Sequence, residues 1–145
     1  MTNKTELIMQ AVQAAVTGLA TTGANVERDR TEPWEAGTRA AITLIMGPLQ
    51  EPDTRTSVRE LWSLLVGIDI HVGAAASELP TALLNQVYTE VANALLADHT
   101  LGGLANDIIE QGTVDPGLET GADDMAVMHT NWRVQFWRSH TDPST

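Results

Sequence analysis

A chain of 145 residues, 43% hydrophobic and 19% charged, has the length and make-up expected of one folded globular domain over 1–145 rather than of a disordered tail. Eight Lys and Arg stand against 19 Asp and Glu, and the resulting charge of −11 disfavours a reader of nucleic-acid phosphates or a binder of anionic membranes. The absence of cysteine excludes disulfides, thiolate nucleophiles and Cys-based zinc sites, and suits a reducing cytoplasm.

Met1-Thr2-Asn3-Lys4-Thr5-Glu6 has neither the basic region nor the cleavage site of a signal peptide, and no apolar run approaches the ~20 residues that span a bilayer. A soluble protein is expected. Asn3 with Glu6 three residues later forms a capping-box signature, and Leu7, Ile8, Ala11, Val12, Ala15, Val16 and Leu19 then recur at helical spacing. That helix should weaken at Gly18 and close at Thr21-Thr22-Gly23. Ala24 to Arg30 reads as a short half-exposed strand, Pro33 breaks the chain, and Arg39 to Met46 reads as a second strand through Ile42, Leu44 and Ile45. Gly47-Pro48-Leu49-Gln50-Glu51-Pro52-Asp53 has the composition of a solvent-facing loop, extending to Thr56.

Ser63 to Val72 carries the clearest pattern. Leu64, Val66, Ile68, Ile70 and Val72 alternate with Ser63, Leu65, Gly67, Asp69 and His71, as in a strand with one dry face. Ser77 is the expected N-cap of a second helix, with Glu78 and Pro80 in its first turn and an apolar stripe of Leu79, Leu83, Leu84, Val87, Val91 and Leu95. Leu104 to Val114 reads as a weaker strand. Asp115-Pro116-Gly117 and Gly121-Ala122-Asp123-Asp124 read as an acidic turn region. Ala126 to Arg138 closes the chain as a strand with Met128, Thr130, Trp132, Val134 and Phe136 on one face.

Helix, three strands, helix and two strands predict an α+β fold, a mostly antiparallel four- to five-stranded sheet with both helices on one face. Few aromatics make the core aliphatic. Leu65 and Trp137 then fall on the outer sheet face, under a loop, a second layer or a subunit contact.

Candidate chemistry is sparse. His71, His99, His129 and His140 show no metal-ligand spacing, and no nucleophile elbow, Walker or dinucleotide-binding motif occurs. Asp69, His71 and His129 form the best constellation that paired strands could assemble into a metal site or general base, and the plainer reading is of polar residues on the wet face of a sheet. Asp115, Glu119, Asp123 and Asp124 lack the spacing of a calcium loop and read as a solvated turn. Gly102-Gly103 follows a helix C-terminus, where free carbonyls point outward, and a phosphate cradle needs a helix N-terminus instead. The pair is expected to be a structural joint. No catalytic, cofactor or metal residue is assigned.

The order of these segments carries a resemblance. The N-terminal helix leading into "TTGANVERDRTEPWE", the strand "LWSLLVGIDIHV", the segment "LNQVYTEVANALLADHTLGGLANDI" and the closing "NWRVQFWR" resemble the tail terminator proteins of long-tailed bacteriophages, also called minor tail protein U or tail completion proteins. The likeness runs over nearly the whole chain. Its most specific parts are Leu95-Leu96-Ala97-Asp98 with Leu101-Gly102-Gly103-Leu104, and Ala24-Asn25-Val26 with Arg28, Arg30 and Pro33. The resemblance implies a structural virion protein, not an enzyme, assembled in the host cytoplasm as a homohexameric ring at the head-proximal end of the tail tube. Such a ring ends tube polymerisation, meets the tail tube protein and the head–tail connector protein, and lets DNA pass without specific binding.

Within that frame, Arg28, Arg30, Arg133, Gln135 and Trp137 are candidate subunit-interface residues, because a cyclic ring joins one patch to a different one on the neighbour. Glu32, Glu35, Asp115, Glu119, Asp123 and Asp124 are candidates to line the bore, where negative charge repels passing phosphates. Two alternatives stand beside it: another phage neck component, such as a head completion or connector protein, and a small metal-dependent enzyme built on Asp69, His71 and His129.

Overall fold

The structure is a computed structural model that describes residues 3–35, 37–73, 79–111, 115–117, 126–139, 141, 142 and 145, with residues 53 and 115–117 described by backbone alone. Element order is α1 (Lys4–Val16), β1 (Val26–Arg28), β2 (Ala40–Arg55), β3 (Arg59–Val72), α2 (Pro80–Ala97), β4 (Asp107–Glu110), β5 (Asp115–Gly117) and β6 (Ala126–Ser139). The fold is α+β, with a mostly antiparallel sheet in the order β1-β2-β3-β6-β4 and β5 also on β6. Among the described residues it has six strands, where the sequence led to four or five.

α1 begins as its cap dictates: the Asn3 carboxamide oxygen accepts from the Thr5 N–H at 2.8 Å. Glu6 does not close a capping box, because its carboxylate is held by Arg28 of β1. Ile8, Met9, Val12 and Val16 of α1 and Leu83, Leu84, Val87, Val91 and Leu95 of α2 pack on the inner sheet face. There they meet Leu64, Val66, Ile68, Ile70 and Val72, none of which is exposed, and Met128, Trp132, Val134 and Phe136 of β6. Burying each large aliphatic side chain contributes roughly 1.5–3 kcal/mol, so this one face supplies most of the driving force for folding. The buried Thr130 and Trp132 are satisfied in turn. The Thr130 hydroxyl donates to the Ile68 carbonyl at 2.7 Å and accepts from the Trp132 indole at 3.0 Å.

Three sequence expectations are corrected. Residues 47–53 are not a loop: β2 runs through them to Arg55, paired with β3 across register shifts between Met46 and Leu49 and between Gln50 and Thr54. Pro48 and Pro52 fall inside those two shifts, where an absent N–H disturbs no ladder bond, so loop-like composition marks bulges in a continuous strand. Asp115-Pro116-Gly117 is a short strand on β6 in place of a turn. α2 starts at Pro80 with Leu79 as its N-cap, and Pro at the first position needs no hydrogen-bond partner for the N–H it lacks. Leu79 is consequently 73% exposed and outside the buried stripe. Ser77 and Glu78, expected in the cap and first turn, lie outside the described residues.

β1 pairs with β2 in parallel, over Val26–Arg28 and Ile42–Leu44 only. A parallel neighbour requires the chain to return to the strand's starting end, and residues 29–35 and 37–39 lie along that return as a strap. The strap crosses the outer face, where the buried Trp34 indole donates to the Thr43 hydroxyl at 3.1 Å.

Candidate assembly surface

Alternation fixes what the outer face presents. In β6 it carries His129, Asn131, Arg133, Gln135 and Trp137, and in β3 Leu61, Ser63, Leu65, Gly67, Asp69 and His71. Asp69 stands directly opposite His129, and their side chains meet at 2.9 Å with the imidazole half exposed. His71 lies on the same face, opposite Val127. The sequence constellation of Asp69, His71 and His129 therefore shares one face, and the 2.9 Å contact is between Asp69 and His129. Among the described residues no group of three or more His, Cys, Asp or Glu is arranged to hold a metal ion. His99 pairs with Asp107 at 3.4 Å, and His140 lies outside the described residues.

The candidate interface residues divide into two sets. Arg28 is occupied within the chain by a two-pronged bond to Glu6, at 2.7 and 3.0 Å. That guanidinium holds the Glu6 carboxyl below the usual carboxylate range, and the carboxylate raises the arginine in return. Arg30 bonds Glu27 and the Pro33 carbonyl and lies 4.2 Å over the Trp34 ring, fixing the strap. Arg133, Gln135 and Trp137 share the outer face of β6, opposite Leu65, Ser63 and Leu61. Leu65 is half-buried beside Gly47, whose approach leaves no room for a side chain: a Cβ there would stand 2.8 Å from the Leu65 carbonyl oxygen.

Of the candidate bore acids, Glu32 and Glu35 sit exposed in the strap. Asp115 is placed by its backbone opposite His129. Glu119, Asp123 and Asp124 lie outside the described residues.

The glycine pair is a joint, as its position after a helix predicts. Leu101, Gly102 and Gly103 all have positive φ (50°, 69° and 96°), and the Asp98 carboxylate closes the turn by accepting from the N–H groups of Thr100 and Gly102. Those bonds, first among them the Thr100 hydroxyl, hold the Asp98 carboxyl below its usual range. A shallow groove of about 370 Å³ lies alongside, between α1 and α2, lined by Ala11, Ala14, Ala15 and Ala94 with Asp98 and Leu101.

Two features escaped sequence reasoning. The first is a set of cations at the hairpin end of the sheet, divided between its faces: Arg59 beside Trp137 on the outer face, Arg138 beside Trp62 on the inner face, and Arg55 paired with Glu60 at 3.3 Å. Arg59 stacks on Trp137 at 4.2 Å, Arg138 on Trp62 at 3.9 Å, and the Lys4 ammonium donates to the Trp137 carbonyl. Burial, then the Arg59 charge, lowers the Lys4 pKa. The second is the open edge of β2. Beyond Leu44 no strand among the described residues pairs its outer side, and Ile45, Met46 and Leu49 are 43%, 49% and 38% exposed. Only the long register of the β2–β3–β6 ladder brings these residues together. Compositional signals within 47–53 pointed away from it.

No protein-family model matches the chain, and no curated protein matches it significantly.

Proposed function

We propose that this protein is a phage tail terminator: a structural subunit that forms a homohexameric ring on the head-proximal end of the tail tube, stops tube growth and offers a surface for head–tail joining. The observation that carries the assembly part of this reading is the open β2 edge with its exposed Ile45, Met46 and Leu49. Proteins that work as monomers blunt or cover such edges, whereas an assembling subunit covers them with its neighbour. The order and spacing of the terminator-like segments supply the rest. Glu32 and Glu35, exposed in the strap, are assigned to the bore, where the chain's charge of −11 per subunit would repel DNA phosphates.

Negative-stain imaging of the purified protein mixed with its tail tube protein tests the proposal. The expected result is rings at one end of tubes of arrested length. Tubes that keep growing with uncapped ends, in the presence of excess protein, would refute it.

A further inference from the structure

Arg133 stands apart from the chain's other cations. Of the eight, Lys4 bonds the Trp137 carbonyl, Arg28 bonds Glu6, Arg30 bonds Glu27, Arg55 pairs with Glu60, Arg59 stacks on Trp137, Arg138 stacks on Trp62, and Arg39 is engaged as well. Among the described residues nothing accepts a hydrogen bond from Arg133, pairs with it or stacks on it, and its Nε is shielded from solvent without a hydrogen-bond partner. The acid nearest in register is Asp107, opposite Gln135, and its Oδ1 is taken by the Ile108 N–H and by His99.

Register sets what surrounds this arginine. Leu65 and Ile109, both half-buried, flank it across the outer face, and Asn131 and Gln135 flank it along β6. In the next row Gly67 stands between Ile45 and Asn131 and puts no side chain between them. A Cβ at Gly67 would meet Ile45 and Asn131 at 3.5–3.9 Å, which is ordinary contact, so packing within the chain does not demand a glycine there. The outer face is thus low at Gly67, bordered by aliphatic side chains and an exposed amide, with the uncommitted guanidinium beside it.

An arginine set among aliphatic groups and amides has the composition of an interface centre, and its planar fork suits a carboxylate taken by two N–H groups at once. We propose that this patch of one subunit receives an Asp or Glu side chain of a second copy of this chain, Arg133 donating to the carboxylate while Ile45, Leu65 and Ile109 exclude water around it. Charge selects the occupant. With 19 acids against eight cations, and seven of those cations engaged inside the chain, carboxylates are what a second copy presents in excess. An arginine patch meeting a different, acidic patch is the heterologous contact that ring closure requires, and it relieves repulsion between subunits of charge −11. This inference rests on the ring reading above and names one surface that builds the ring.

Two variants and a cross-link test it. Arg133→Glu removes the donor, and Gly67→Val fills the low point without touching a charge. Each should associate about tenfold or more weakly than wild type in sedimentation velocity, and its melting temperature reports whether it is folded. Arg133→Lys keeps the cation and supplies an amine. Assembled from a mixture of ordinary and heavy-nitrogen chains and treated with a carbodiimide, that variant should yield peptides in which position 133 of one isotope is joined by an amide to an Asp or Glu of the other.

Folded variants that assemble like wild type, or cross-links confined to chains of one isotope, would overturn the contact. So would a wild-type protein that sediments as a monomer, including one whose Arg133 retains inorganic phosphate or duplex DNA instead. Wild-type rings lost in Arg133→Glu but unable to cap tubes would leave the contact standing and remove the terminator assignment. Capping by rings of Arg133→Glu would do the reverse.

Discussion

Single residues in this protein are tied to its fold by backbone conformation and by local charge. Gly102 has φ of 69° with open space around its α-carbon, so a side chain there strains the backbone without striking a neighbour. Gly102→Val should cost about 1–3 kcal/mol of folding stability, read by urea denaturation, before any assembly defect is measured. Tyr88, the chain's single tyrosine, bonds Glu110, and burial followed by that carboxylate pushes its phenol up to about 12. Ultraviolet absorbance during alkaline titration should show its ionisation near that value, and Glu110→Gln should lower it in part, since burial remains. The sign for stability follows. A phenol that keeps its proton longer when folded contributes fully below the ordinary value near 10, and that contribution is lost as pH rises from there through 12.

Among the elements, β3 holds the molecule together, because it pairs with β2 on one side and β6 on the other and turns five unexposed aliphatic side chains onto the helices. Ile68→Ala at its centre should cost about 2–5 kcal/mol, lowering the thermal midpoint by about 10 °C in calorimetry. This element was legible in the sequence since a strand with one dry face alternates strictly, and α1, α2 and β6 were legible by the same periodic logic. β2 was legible only to Met46. Its second half is a strand because β3 offers a partner across the hairpin, and its prolines and glycine are accommodated by bulges. Composition records the bulges and is silent about the partner. The candidate site followed the same division. Trp137, Arg133 and Gln135 were placed on one face by alternation alone, whereas the Arg59–Trp137 and Arg138–Trp62 stacks depend on a register that no local pattern encodes.

For the whole molecule, charge and open edges decide the outcome. Nineteen acids against eight cations should keep duplex DNA from binding: fluorescence anisotropy with a short duplex at about 0.15 M salt should give no affinity tighter than about 100 μM. Tight binding would contradict an acidic bore. Sequence by itself determined the acidic balance, the aliphatic core, the two helices and the dry faces of β3 and β6, because each follows from residue type or from a period of two or 3.6 along the chain. Tertiary structure alone decided that β1 lies parallel to β2, that the connecting strap buries Trp34 on the outer face, and that Asp69 meets His129. It also decided that β2 carries exposed Ile45, Met46 and Leu49 along an edge that no described strand pairs beyond Leu44. All of these depend on which strands pair and in what register, a matter of contacts between residues far apart in the chain, which no short-range pattern carries.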